Sequence, residues 1–118
     1  MVDDILLKKF EKPDEERTFE KGKLELVTLG GVTVGRASYE PGWKWSTHVG
    51  PTAGTPLCEV EHVGLVVKGK AAVKMRDGTE IILKPGDLFY IKPGHDSWVV
   101  GNEPYVSLHF LGAEKYAK

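Results

Sequence analysis

The chain has little cysteine, no long apolar run and no excess of either charge. Cys58 is the only cysteine among 118 residues, so no internal disulfide can form and stability must come from a buried core. Sixteen basic and seventeen acidic residues give a net charge of -1 without a Lys/Arg cluster, which argues against a nucleic-acid partner. The N-terminal apolar run, residues 5–7, is too short for a signal peptide or a membrane span. We therefore expect a cytoplasmic protein with no membrane partner.

Several motifs of common enzyme classes are also missing from the sequence. It contains no glycine-rich phosphate loop before a helix, no dinucleotide fingerprint, no serine-centred nucleophile elbow and no paired-cysteine zinc motif. No segment after residue 20 has a sustained helical period. These absences exclude the nucleotide-binding and serine-hydrolase classes and disfavour a helical fold.

The chain divides into a charged lead segment and one domain. Residues 1–22 are rich in Lys, Glu and Asp and are predicted to form an N-terminal arm, because so little of the segment can bury apolar surface. A flexible tail is the favoured interpretation, and an arm exchanged with a partner subunit is the alternative. Residues 23–118 have the length of a single domain.

From residue 23 onward, strand-forming runs alternate with turn residues. The runs 24–29 and 32–39 flank Gly30-Gly31, and the runs 71–76 and 79–83 flank Asp77-Gly78, which predicts two hairpins. Further strands are predicted at 88–91, 98–100 and 105–111, with Pro-Gly turns at 41–42, 85–86 and 93–94. Many short strands with regular turns predict an all-β sandwich or jelly-roll barrel.

Histidines and the cysteine are the candidate metal ligands. His48 ends a segment that follows one Pro-Gly turn, and His95 directly follows another, so the two can meet at one mouth of a barrel. Cys58 and His62 share a face of an extended segment, because side chains alternate along a strand. Imidazole is the commonest metal ligand, and three converging imidazoles leave open positions on the metal. The alternatives are a surface His48, a hydrogen-bonded core His62 and a Cys58 that serves as a small apolar residue.

His109 is a weaker candidate. It shares a strand face with Ser107, while Val106, Leu108 and Phe110 form the opposite, apolar face. The alternation leaves open whether His109 faces solvent or a cavity.

Alternation also predicts the orientation of the tryptophans. Trp43 and Trp45 have the opposite parity to His48, and Trp98 has the opposite parity to His95, so all three are predicted to face away from the metal. They would then cover the outer surface or a subunit interface. By the same argument Asp96, Glu59 and Glu61 face outward and are not ligands.

The punctuation of the chain resembles that of the cupins over residues 35–111. The family's first motif is matched by Gly42, five residues and His48, and later by His62, six residues and Gly69; its second motif opens at Gly86 and reaches the turn Pro93-Gly94. Four positions depart from the pattern. Gly50 replaces the second histidine of His-x-His, His62 occupies the glutamate position, Lys92 stands at the proline position, and Ser97 replaces the second-motif histidine while His95 lies two residues earlier.

The resemblance implies a double-stranded β-helix, or jelly-roll, cupin barrel of the small uncharacterised bacterial type. It further implies one divalent metal ion (Fe, Mn, Ni or Zn), for which His48, His62 and His95 stand in motif-related places. Cys58 is a further candidate ligand from its spacing to His62, and His109 a weaker one. A dioxygenase, isomerase or decarboxylase acting on a small organic molecule is the expected function, and a non-catalytic ligand-binding or sensor protein is the alternative. A homodimer is also expected from the resemblance.

Overall fold

The computed structural model describes residues 5–116, so residues 1–4 of the predicted arm and 117–118 of the predicted domain lie outside the described residues. Two antiparallel sheets dominate this part of the chain. The strands are β1 Glu15–Phe19, β2 Gly22–Leu29, β3 Val32–Tyr39, β4 His62–Lys68, β5 Lys70–Met75, β6 Glu80–Leu83, β7 Leu88–Ile91, β8 His95–Val100 and β9 Tyr105–Leu111. The helices are α1 Trp45–His48, α2 Gly50–Ala53 and a 3-10 turn, Ala113–Lys115.

The two sheets share one apolar core. The larger has the strand order β1-β2-β3-β9-β4-β7 and the smaller the order β6-β5-β8. Leu24, Ala37 and Val66 from the first sheet join Val73 and Val99 from the second in a single buried cluster. The predicted all-β fold is therefore confirmed. No helix in the described part of the chain is long and apolar enough to span a membrane.

Both predicted hairpins are present. Val27 pairs with Val34 around the Gly30-Gly31 turn, where both glycines have positive φ, and Val73 pairs with Ile81 around Asp77-Gly78. Positive φ costs glycine no steric energy, so the turn residues and the short span between the strands select these connections. The strands predicted at 32–39, 88–91 and 105–111 have those same bounds in the structure.

Part of the charged lead segment is a strand and not a flexible tail. Residues 15–19 form β1, which pairs with β2 at the edge of the larger sheet. Arg17 donates to the backbone oxygens of Tyr116 at 2.8 Å and Ala113 at 3.4 Å. Phe19 packs its ring against Tyr39 and Trp43. The high charge of the segment suggested a flexible tail. The alternate residues Arg17 and Phe19 nevertheless point inward and contact the rest of the domain.

The predicted outward orientation of Trp43 and Trp45 is wrong. Each side chain is 3% exposed and belongs to the core. Strand alternation fails here because Trp45 begins the one-turn helix α1, which rotates successive side chains by a helical and not a strand period. A single turn is too short to leave a helical period in the sequence. Trp98 is half-buried on the other side of β8, under the Lys44 ammonium 5.3 Å from its ring centre.

Asp96 connects helix α1 to strand β8. Its carboxylate accepts hydrogen bonds from the Ser46 backbone N–H at 3.0 Å and from the Ser46 hydroxyl at 2.8 Å. An amide of the first helical turn has no partner within the helix, so this carboxylate serves as its cap from a distant strand. The contact holds Trp45 beside the strand that begins at His95.

Candidate metal centre

Cys58 and His95 are held opposite each other by an isolated antiparallel bridge. The Cys58 N–H donates to the His95 carbonyl oxygen at 2.7 Å, and the His95 N–H donates to the Cys58 carbonyl oxygen at 3.2 Å. Residues directly opposite in such a pair project their side chains to the same face. The turn Pro93-Gly94 thus delivers the His95 imidazole to the same side as the thiol.

His62 completes a group of three buried ligands. It is the first residue of β4, four residues after Cys58, and its Nε2 lies 3.6 Å from the Cys58 Sγ. One ligand atom from each of Cys58, His62 and His95 lies within 4.8 Å of the other two. Ligand atoms on a tetrahedral zinc ion at bond lengths of about 2.0–2.3 Å are separated by roughly 3.3–3.8 Å. A small inward movement of the three side chains would therefore enclose one ion.

A hydrogen bond fixes the tautomer of one of the two imidazoles in this group. His95 Nδ1 lies 2.8 Å from the Lys92 carbonyl oxygen, which can only accept, so Nδ1 carries the proton and Nε2 keeps its lone pair. Such an outer contact commonly fixes the tautomer of a metal-bound histidine. His62 Nδ1 is buried and has no hydrogen-bond partner among the described residues. A buried ring nitrogen without a partner is costly, and an ion or a ligand in the cavity would change its surroundings.

His109 lies on the next wall, facing the cavity. Gly64 of β4 pairs with His109 of β9, and the ring centres of His109 and His62 are 5.3 Å apart. Its Nε2 is 2.9 Å from the Ser107 hydroxyl, whereas its Nδ1 is buried without a partner among the described residues. The open question of its orientation is thereby answered, although His109 is not one of the three converging ligands.

Burial keeps the three cavity histidines and the Cys58 thiol uncharged near neutral pH. It lowers the pKa of His62 to about 2, assisted by His109 and His95, and lowers that of His109 to about 4. Burial also lowers the pKa of His95, against the opposing effect of the Lys92 carbonyl. It raises the pKa of the Cys58 thiol to about 11. The histidines therefore present lone pairs, and thiolate ligation would release one proton.

The structure does not bring His48 into this group. Its side chain lies on helix α1, where Nδ1 is 3.0 Å from the Lys44 backbone nitrogen and Nε2 is 3.6 Å from a Glu20 carboxylate oxygen. The motif spacing after Gly42 pointed to this histidine, but the helical turn directs its ring to partners of its own. Glu59 and Glu61 point outward as predicted, where they bind Arg76 and Tyr90.

A cavity of about 40 Å³ lies beside the three ligands. Its wall contains two sets of side chains. The histidine group comprises His62, His95 and His109, with Cys58 behind them. The aromatic group comprises Tyr39, Trp43, Trp45 and Tyr105. None of the described residues that line the cavity is Asp, Glu, Lys or Arg.

Tyr116 closes the cavity from the C-terminal side. Its ring is 5.4 Å from that of His62 and stacks at 6.3 Å on that of His109, and its hydroxyl accepts a hydrogen bond from Tyr39 at 3.0 Å. Sequence analysis did not identify Tyr116, because the segment after Leu111 has no strand pattern. Arg17 holds the backbone of this segment through the Tyr116 carbonyl oxygen.

Comparison with known proteins identifies the family. The family model described as a cupin domain matches residues 45–109, which include Cys58 and all four histidines. This match spans more than half of the chain. The chain belongs to the cupin family. No curated protein matches this cupin in sequence at a significant level.

Solved structures of proteins with very different functions share the fold of this cupin. A sugar phosphate isomerase of the cupin superfamily from Silicibacter pomeroyi is 20% identical, with 83% of this chain and 73% of that chain covered and a TM-score of 0.59. A structure titled for DMSP lyases is 16% identical, with 75% and 45% covered and a TM-score of 0.55. An 11S allergen from Cocos nucifera is 16% identical, with 90% and 34% covered and a TM-score of 0.62. The fold alone therefore does not select a function.

Proposed function

We propose that this cupin is a small metalloenzyme that binds one divalent metal ion and acts on a small organic molecule in the cavity. The observation that carries the proposal is the convergence of Cys58, His62 and His95, with ligand atoms within 4.8 Å of one another in a buried site. Two strands and a turn fix this arrangement through the Cys58–His95 bridge. The site is therefore preformed and does not depend on flexible surface residues.

The donor set fits a metal ion of borderline softness. One thiol and two neutral imidazoles suit zinc, and imidazole also suits iron and nickel, whereas manganese prefers oxygen ligands. A metal bound by these three residues would supply Lewis-acid catalysis at a remaining open position. The protein supplies the tautomer of His95, the exclusion of bulk water and a third neutral imidazole, that of His109, on the adjoining wall.

The test is metal content with matched variants. Protein purified without an affinity tag should contain about one metal ion per chain by mass spectrometry. Cys58→Ser, His62→Gln and His95→Gln should each lose the metal, whereas His48→Gln should retain it, because His48 has partners of its own. Absence of metal after incubation with Fe(II), Mn(II), Ni(II) and Zn(II) would contradict the proposal, and so would equal loss in the His48 variant.

A non-catalytic ligand-binding or sensor protein is the second candidate. It is favoured by the absence of a carboxylate or lysine among the described residues that line the cavity, which leaves no obvious general base besides the histidines. Solvent access to the metal separates the two functions. A catalytic site should enhance the relaxation of water protons when loaded with paramagnetic Co(II), whereas a saturated site should not.

We also propose a homodimer in the cytoplasm. The outer face of the β9-β4-β7 half of the larger sheet exposes Leu88 by 76%, Tyr90 by 60% and Phe110 by 44%. These residues form an exposed apolar face that a second copy would cover, whereas Trp43 and Trp45 are buried. The free buried thiol of Cys58 suits a reducing compartment. Light scattering should give twice the chain mass, and Leu88→Lys should reduce it to one.

A further inference from the structure

Buried polar atoms without a hydrogen-bond partner are concentrated at the cavity. Among residues 5–116, the side-chain atoms in this state are Nε1 of Trp43, Nε1 of Trp45, Nδ1 of His62 and Nδ1 of His109. All four residues line the same cavity. Most buried polar groups in proteins are paired, so this concentration marks a place where an occupant supplies the missing partners.

The two indoles restrict the chemistry of that occupant. An indole N–H can only donate, so its partner must be an acceptor atom such as a carbonyl or hydroxyl oxygen. Leaving a buried donor unpaired is energetically costly. Trp43 and Trp45 therefore favour a molecule that brings at least one oxygen into the cavity.

The lack of charged side chains around the cavity restricts the chemistry of its occupant further. No Lys, Arg, Asp or Glu lines the described wall, so only a metal ion bound at the histidine group would neutralise a phosphate or carboxylate there. The nearby carboxylate of Asp96 is engaged by Ser46. Burying an unpaired ion is far more costly than burying a neutral polar group. The remaining wall, with Val73, Leu83 and Phe89, is apolar.

We propose that the cavity accepts a small molecule whose uncharged, largely apolar part lies against the aromatic group and carries an oxygen atom that accepts hydrogen bonds from Trp43 and Trp45. This inference deepens the proposed function, on which it rests for the identity of the site, by naming the substrate class and two residues that determine specificity. The cavity volume of about 40 Å³ limits the part enclosed in this conformation to a few atoms. A phosphate or carboxylate group would find no side chain of opposite charge on this wall.

The test uses probes of one shape and different polarity. Acetone, acetate and isobutene share a planar branched shape, but acetone carries a neutral oxygen, acetate a charge and isobutene no polar atom. They are titrated into the full-length chain as purified and after removal of metal by a chelator, with folding checked by circular dichroism. The indole N–H signals are followed by nitrogen-15 NMR. Trp98, half-buried outside the cavity, is the internal control.

Acetone should shift the indole signals of Trp43 and Trp45 and leave that of Trp98 in place. Trp43→Phe and Trp45→Phe should each weaken acetone binding about fivefold relative to isobutene, as expected for one neutral hydrogen bond. Trp98→Phe should change nothing. Because these signals are read without metal, failure of the metal site leaves the result interpretable.

Three results would overturn the inference. Acetate finds no side chain of opposite charge on this wall, so acetate binding as tightly as acetone to the metal-free chain would refute an uncharged contact there. Equal binding of acetone and isobutene would show that the indoles pair with trapped water only. Unmoved indole signals in the unmodified chain would refute the role of Trp43 and Trp45 without relying on any variant.

Discussion

The histidine group and the aromatic group line one cavity but are held in place differently. Cys58 and His95 are fixed by main-chain hydrogen bonds across an isolated bridge, so their side chains converge whatever fills the cavity. Trp43 and Tyr39 are fixed by ring packing, with centres 4.1 Å apart, and Trp43 leaves its N–H unpaired. The comparison shows that backbone geometry fixes the positions of the metal ligands, whereas side-chain packing determines the shape of the cavity beside them.

The largest expected effect comes from a substitution in the histidine group alone. Cys58→Ser should lower metal affinity at least about 100-fold, because loss of an outer contact already costs about 10–100-fold and loss of a ligand costs more. Serine preserves the size of the buried side chain, so the fold should be retained. Competition with a chromophoric chelator measures the affinity. His48→Gln is the control, and an equal loss there would mean that the three-residue site is wrongly assigned.

Gly64→Ala should damage the wall shared by both groups. A methyl group at this position would collide with the Leu108 carbonyl oxygen and the Phe89 ring, which itself lies 5.8 Å from the His109 ring centre. Overpacking of this kind costs about 1–3 kcal/mol. Denaturant unfolding measures the loss. Gly30→Asn is the control and should cost much less, because Gly30 has open space around it and a φ of 58° that asparagine adopts readily; equal costs would show that close packing at Gly64 is unimportant.

Acid should destabilise the histidine group selectively. The pKa of His109 is about 4 in the folded chain and about 6.5 when unfolded, so the unfolded chain binds more protons between these values. Stability is therefore retained above about pH 6.5 and falls as pH decreases, by about 2 kcal/mol between pH 7 and pH 5 from His109 alone. Unfolding of the metal-free chain across this range measures the slope. His109→Gln should make the slope less steep, with the contribution of His62 and His95 remaining, and an unchanged slope would contradict a buried neutral His109.

The smallest expected effect concerns Tyr116, which closes the cavity beside the histidine and aromatic groups. Arg17→Met removes the donor to the Tyr116 carbonyl oxygen and should cost about 1–2 kcal/mol, in the range for a charged hydrogen bond. Hydrogen exchange at the C-terminal turn should increase. Arg76→Met is the matched control, since its ion pair with Glu59 is solvent-exposed and is expected to contribute about 0–1 kcal/mol. Equal effects would argue against a special role for Arg17.

The sequence predicted features that depend on local chemistry. Gly30-Gly31 and Asp77-Gly78 specify their hairpins because turn residues and flanking strands lie next to one another. The shared face of Cys58 and His62 followed from the short spacing between them, and His95 from the turn before it. Three of the predicted metal residues, Cys58, His62 and His95, are brought together in the structure.

Features that depend on tertiary packing were beyond the sequence patterns. One-turn helix α1 reverses the orientation expected for Trp45 and gives His48 separate partners. The strand with His109 has an apolar outer face, so alternation distinguished two faces without showing which is buried. Tyr116 is held at the cavity by residues far away in sequence, with Arg17 bound to its backbone and Tyr39 to its hydroxyl. A signal for His109 was nevertheless present, in the polar Ser107 on its own face of the strand.

The central claim is that Cys58, His62 and His95 bind one metal ion, and titration with Co(II) tests it most directly. Thiolate ligation gives cobalt a charge-transfer absorption that imidazole ligation does not give. The account predicts that this band saturates at about one equivalent, disappears in Cys58→Ser and persists in His48→Gln. Absence of the band from the unmodified protein, or its persistence in Cys58→Ser, would contradict the claim.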